Sequence, residues 1–255
     1  MGQQPLNGIR IIELAQGIAG PWAGRLLAGY GADVIKVEPP EGDRSRTLGP
    51  FPSDGTHPET GAVHLHVNTG KRSIVGQVGD PLVDRLIASA DAVVQSDVDL
   101  DPETVEKEHP GLALVTVTSF GLTGRYAGRR GEEIVHYAMG GPMSASGAPE
   151  REPLKMGGDL GQYQCGTIAA TAVLASLLAA KRIGRGINVD LSNVDTQIMS
   201  IDRRMTYLLY CAYRGENVPR SGGYTTSIFP GGCRPTLDGH VQISTLMNWL
   251  PRMVA

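Results

Sequence analysis

Residues 8–46, GIRIIELAQGIAGPWAGRLLAGYGADVIKVEPPEGDRSR, set two short β-branched runs on either side of one helix-length segment. Ile9, Ile11, Ile12 and Leu14 make the first run. Gly17, Gly20 and Pro21 break it, and residues 22–30 carry Leu26, Leu27 and Tyr30 at helical spacing. Gly31 stops that helix, and residues 32–37 form the second run. The pattern predicts a parallel βαβ unit whose helix N-terminus faces whatever binds at the strand ends. A ligand with phosphates and a carbonyl suits that place.

The alternation continues. Residues 72–78 read as a strand after the turn Thr69-Gly70-Lys71, residues 81–89 as a helix and residues 92–94 as a short buried strand. An acidic loop at 97–101 precedes a helix that starts near Pro102 and ends before His109-Pro110. Residues 112–117 are a further strand, and 121–152 are mostly loop with one helix over 132–139. Residues 163–181 are the strongest helix, apolar nearly all round, and are expected to be buried. A strand at 187–191 follows. Ser192 or Asn193 then caps a helix running to about 213. Residues 233–237 and 241–244 flank Asp238-Gly239, a hairpin signal.

Composition narrows the functional classes. A net charge of −3 gives no broad basic field, so nucleic acid is not expected as a partner. No apolar run reaches about 18 residues, so no membrane span is expected. Cys165, Cys211 and Cys233 are sparse and outside any C-x-x-C pattern, which suits a reducing, cytoplasmic compartment. His64 and His66, at i and i+2, are expected to share one strand face, with no third ligand nearby, so no metal site is expected.

Four segments together resemble a known family: residues 6–46, NTGKRSI at 68–74, TSFGLTGRYAGRRGEEIVHYAMGG at 118–141, and GGDLGQYQCGTIAATAVLASLLAAKRIGRGINVDLSNVD at 157–195. They resemble the class III coenzyme A transferases of CaiB/BaiF type, which include formyl-CoA and benzylsuccinate CoA-transferases and the related 2-methylacyl-CoA racemases. The resemblance implies an α/β fold with a Rossmann-like parallel sheet over residues 1–225. It also implies the start of a small domain at 226–255, interrupted because family members are longer, and an interlocked dimer. The expected ligands are an acyl-CoA thioester and a carboxylic acid, with no permanently bound cofactor. The resemblance places CoA against Gln16, Gly17, Ile18 and Ala19, and against Lys71 and Arg72.

The family chemistry needs an aspartate, whose carboxylate attacks the thioester to give a mixed anhydride and free CoA thiolate. Backbone N–H groups of a glycine-rich loop stabilise the oxyanion. That aspartate opens the long helix in a G-D-Y-x-x-G-like pattern. Here Gly161-Gln162-Tyr163-Gln164-Cys165-Gly166 sets Gln162 at the nucleophile position, and an amide cannot act as that nucleophile. Asp159 lies three residues earlier and serves only if the loop is rearranged. In addition, Gln95-Ser96-Asp97-Val98-Asp99 stands where the family carries an arginine near the CoA phosphates, and added acid there repels phosphate. The preferred reading is therefore a subunit without its own nucleophile, in a homodimer or paired with an aspartate-bearing paralogue. An active transferase using Asp159 is the alternative. Racemisation is disfavoured because Glu132 occupies the position of the racemase histidine. A dinucleotide-binding domain is a further alternative, with Glu38 about 20 residues after Gly17 as its ribose acid.

Overall fold

β1 (Arg10–Glu13) and β2 (Asp33–Glu38) lie side by side in parallel, joined by α1 (Ala19–Gly29), with Ile11 opposite Val34 and Glu13 opposite Lys36. The computed structural model describes residues 4–53, 55–96, 100–199, 204–216, 220 and 232–243. α2 (Ala62–Asn68) leads into β3 (Arg72–Val75), α3 (Pro81–Ala88) into β4 (Ala92–Gln95), and α4 (Pro102–Glu108) into β5 (Ala113–Thr118). α5 (Glu133–Met139) and the long α6 (Leu160–Ile183) precede β6 (Asn188–Ser192) and α7 (Asn193–Ile198). The six strands form one parallel sheet in the order β3-β2-β1-β4-β5-β6. Strand order reverses between β1 and β4, and open α/β sheets bind ligands at the carboxyl end of such a switch point.

Both faces of the sheet are covered, which explains why its strands read as apolar runs rather than alternating patterns. Ile11, Val34, Val94 and Val115 pack with Ala23 and Leu27 of α1 and with Cys165, Ala169 and Val173 of α6. On the other face Ile12, Ile35, Val93 and Leu114 pack with Val83 and Ile87 of α3 and Val105 of α4. The α1–α6 contact is close because residue 166 is glycine. A Cβ there would lie 2.2 Å from the Ala19 carbonyl oxygen and 3.0 Å from Trp22 Cβ. Main chain cannot rotate away, so Gly166→Ala is expected to prise α1 from α6 and cost about 1–3 kcal/mol or more. A lowered urea midpoint with an unchanged denaturant slope is the corresponding reading.

Several expectations need correcting. Residues 62–68 are a helix, not a strand, so His64 and His66 do not share a face. Steps of two along a helix turn the side chains away from each other. His64 is buried against Ser45 Oγ at 2.8 Å, whereas His66 is exposed and stacks on Trp22 at 5.3 Å. α6 begins at Leu160 and is buried on one face only. Thr167, Thr171, Ala175 and Leu178 form an exposed stripe on the other. By length and composition α6 also qualifies as a membrane-crossing helix, contrary to the expectation from apolar runs. Its Cys165, Ala169 and Val173, all at 0% exposure, face the core, whereas Leu160, Leu178 and Ile183 are exposed.

The helix expected from 193 to about 213 is described as α7 and a separate α8 (Arg204–Arg214). Ser192 caps α7 as expected, its Oγ accepting from the Asp195 N–H at 3.2 Å. The chain divides into two compact units, Met1–His136 with Gly157–Gln197 and Tyr137–Met156 with Ile198–Ala255. The second unit holds α8 and the antiparallel hairpin of β7 (Gly232–Pro235) and β8 (His240–Ile243), with Pro235 opposite His240. There the Arg220 guanidinium donates to the carbonyls of Pro149 and Arg151.

Candidate functional site

The glycine turn sits at the switch point. Gln16 N–H donates to Ser96 Oγ at 3.0 Å, tying the end of β1 to the end of β4. Gly17 takes the left-handed conformation (φ 81°), which its lack of a Cβ permits, and its N–H donates to Asp43 Oδ1 at 3.1 Å. Ile18 caps α1 without a side-chain acceptor, so the N–H groups of the first turn keep the partial positive charge of a helix start.

Beneath this turn lies a buried four-membered charge cluster that sequence reading missed. Lys36 Nζ contacts Glu13 Oε1 at 2.9 Å, Asp43 Oδ2 at 2.6 Å and the Ala15 carbonyl at 2.7 Å. Lys71 Nζ contacts Glu13 Oε2 at 2.7 Å and the Pro21 carbonyl at 2.7 Å. Gly24 makes room, since a Cβ there would sit 1.9 Å from Glu13 Oε2. Burial alone lowers the Lys36 ammonium pKa, but Glu13 and Asp43 outweigh it and hold it above the ordinary lysine value. Burial pushes Lys71 down to about 8, with Glu13 opposing.

This arrangement separates the expected CoA contacts. Gln16, Gly17, Ile18 and Ala19 stay together at the turn. Lys71 lies near it, but its side chain is 2% exposed and engaged with Glu13 rather than offered to a phosphate. Arg72 is exposed at the opposite, amino end of the sheet, where it forms a forked pair with Asp33. Asp97 and Asp99 lie outside the described residues. Glu38 is not free for a ribose. It accepts from Arg46 at 2.7 and 3.0 Å, from Ser73 Oγ at 2.6 Å and from the Asp43 N–H at 3.1 Å. Burial alone raises this carboxyl, but Arg46, Ser73 and that N–H outweigh it and hold it down to about 2. Because the folded pKa lies below the ordinary 4.5, the stabilisation is complete above about pH 4.5 and is lost as pH falls toward 2. Acid titration of stability is expected to steepen there, and to flatten in Arg46→Met.

Gln162 is one helical turn from Gly166, and so about 6 Å along α6 from the contact with the start of α1. Its side-chain amide lies 3.3 Å from Nδ1 of His136, which is 2% exposed and which burial holds below the ordinary histidine pKa, against a weaker pull from Glu132. Glu133 accepts from the Gly161 N–H at 2.8 Å, and Gln197 donates to the Gly161 carbonyl at 3.2 Å. Glu133 thus fills the helix-start role that the Asp159 side chain leaves open. Asp159 is the N-cap residue of α6, in a non-helical conformation, and its carboxylate makes no capping hydrogen bond. The Cys165 thiol, pushed up to about 12 by burial, is not a competing nucleophile.

A second feature missed in the sequence lies in the loop after β5. Thr118 Oγ1 and Asp190 hold the Gly121 and Leu122 N–H groups, and Ser119 Oγ holds that of Gly131. Between these anchors Arg125 and Arg129 lie 5.8 and 5.7 Å from the Tyr126 ring, exposed to solvent. Tyr126 packs on Phe120 at 5.7 Å, and Phe120 on His136 at 5.8 Å. A paired cationic edge therefore connects through two rings to the Gln162 region. A groove of about 680 Å³ between α3 and α4 is lined by none of these residues.

The family model described as CoA-transferase family III matches residues 6–250. The chain is 38% identical over 250 residues to succinate–glutarate CoA-transferase of Agrobacterium fabrum, covering 92% of this chain and 62% of that protein. It is 33% identical to succinyl-CoA:mesaconate CoA-transferase of Haloarcula hispanica, covering 95% and 64%. A CaiB/BaiF family protein from Brucella suis superimposes with a TM-score of 0.84 at 33% identity, covering 94% of this chain and 65% of that one. The chain spans less than two thirds of the length of these curated relatives.

Proposed function

This chain belongs to CoA-transferase family III, and from that premise we propose that it binds acyl-CoA thioesters where α1 meets α6, as a subunit without its own nucleophile. The observation that carries the proposal is the side chain at 162. An uncharged amide, its nitrogen lone pair delocalised into the carbonyl, stands where the resemblance to the G-D-Y-x-x-G-like pattern assigns the family's nucleophile, beside an imidazole that burial holds below the ordinary histidine pKa. Glu133, the nearest carboxylate on α5, holds the first turn of α6 instead. Arg125 and Arg129 supply exposed cations suited to CoA phosphates, a role that the buried Lys71 and the remote Arg72 do not fill. The names of the relatives favour a short dicarboxylic acyl group. The nucleophile then comes from an aspartate-bearing partner chain of the same family.

One observation favours a second reading. The Asp159 carboxylate makes no capping bond and sits one turn before Gln162, so an active transferase using Asp159 is its content. Exchange of label between succinyl-CoA and free glutarate separates the two. The purified chain alone is expected to show the uncatalysed rate while CoA raises its unfolding temperature. Exchange that Asp159→Ala abolishes establishes the second reading. Fast exchange that survives Asp159→Ala overturns both.

A further inference from the structure

We infer that His136 is the positioning residue of this site: its Nδ1–H donates to the Gln162 side-chain oxygen, which turns the Gln162 amide N–H groups away from the imidazole as donors to an acyl carbonyl oxygen. The ligand in this inference rests on the acyl-CoA reading; the hydrogen bond does not.

The argument starts from the 3.3 Å contact between the Gln162 amide and His136 Nδ1. If the amide atom there is nitrogen, Nδ1 must accept, and a neutral imidazole then carries its proton on Nε2. That nitrogen is buried and has no hydrogen-bond partner among the described residues. Gly131 presses against it, so that a Cβ at 131 would be 2.6 Å away, and the Phe120 ring closes on the same imidazole. A proton there is stranded. A half-turn of the amide exchanges its oxygen and nitrogen without moving any other atom. Nδ1 then carries the proton and donates to the amide oxygen, and Nε2 presents only a lone pair to the glycine. An orphaned buried N–H is less tolerable than an under-used acceptor. Burial, which favours the uncharged ring over the imidazolium, is consistent with one proton and one lone pair.

The half-turn has a functional consequence. Gln162 is half-buried, unlike His136, so its released N–H groups stay open to a ligand. The amide then grips the thioester carbonyl without attacking it. Residue 162 becomes a binding group whose direction His136 fixes.

Two measurements on the full chain test this. Long-range nitrogen–proton correlation of the imidazoles, without ligand, is expected to show His136 protonated on Nδ1; protonation on Nε2 overturns the hydrogen bond. Binding is then compared for a ketone analogue of succinyl-CoA, which keeps the carbonyl, and a thioether that lacks it. The wild type is expected to prefer the ketone about 5–10-fold, the scale of one hydrogen bond. His136→Phe is expected to lose that preference, and His136→Asn, whose side-chain amide can donate from nearly the same place, to recover it. Equal preference in wild type and His136→Phe overturns the positioning role. Failure of the wild type to bind CoA or either analogue overturns the acyl-CoA reading and the ligand half of the inference, while the protonation site still decides the hydrogen bond.

Discussion

Gln162→Asp is expected to convert a chain that only binds acyl-CoA into one that forms a covalent acyl intermediate. The substitution shortens the side chain by one methylene and puts a carboxylate at the first turn of α6, where helix N–H groups favour negative charge. The carboxylate also takes over from the Gln162 oxygen as acceptor for the His136 Nδ1 proton. Attack on the thioester then expels thiolate and leaves a mixed anhydride that hydroxylamine traps, with the label located on residue 162. A gain in exchange of about 10²-fold over the unaltered chain, worth about 2.7 kcal/mol of barrier, is a reasonable expectation. It falls short of a native transferase because supporting groups must hold a nucleophile within about 0.5 Å of the productive geometry. A folded variant that binds CoA but yields neither trapped adduct nor exchange shows that position 162 is not where the thioester carbon sits.

The first βαβ unit was legible because its signals are local. Ile11, Ile12, Val34 and Ile35 are buried on alternate faces of a doubly covered sheet, so their runs show in the sequence without tertiary knowledge. The amide at 162 was legible for the same reason, as a departure inside a continuous motif. What escaped depends on pairs distant in sequence. His136 and Gln162 are 26 residues apart, and Glu13 and Lys71 meet across 58. The run Thr69-Gly70-Lys71-Arg72 has the composition of a solvated turn, and only the position of Glu13 shows that Lys71 points inward. A signal was present nonetheless. Lys36 interrupts an apolar strand buried on both faces, and a charge in that setting needs a partner; parallel register supplies Glu13 directly opposite. For α2, the spacing of His64 and Val67, both buried, is helical, but seven residues with two histidines at i and i+2 fit a strand equally well.

Lys36→Met is expected to be the most destabilising single substitution in the first unit. It removes the ammonium shared by Glu13 and Asp43, whose side chains are fully buried. Glu13 retains Lys71 at 2.7 Å, but Asp43 is left with the N–H groups of Gly17 and Ser45 and only the more distant charge of Lys71. Breaking a buried pair by removing one partner costs about 3–5 kcal/mol, a large part of the stability of an ordinary domain. The pH dependence identifies the cause. In the wild type, burial alone raises the Asp43 carboxyl, but Lys36 outweighs it and holds it below the ordinary 3.8, so this stabilisation is present above about pH 3.8 and lost on further acidification. Without Lys36 the same burial raises the carboxyl, which then takes up a proton at higher pH and relieves its own unpaired charge. The gap between variant and wild type should therefore narrow from pH 7 toward pH 4, and adding Asp43→Asn should recover much of the loss. CoA binding should weaken in parallel, because Asp43 also holds the Gly17 N–H of the turn. A loss below about 1 kcal/mol, or one that does not change with pH, shows that the cluster is not what fixes that turn.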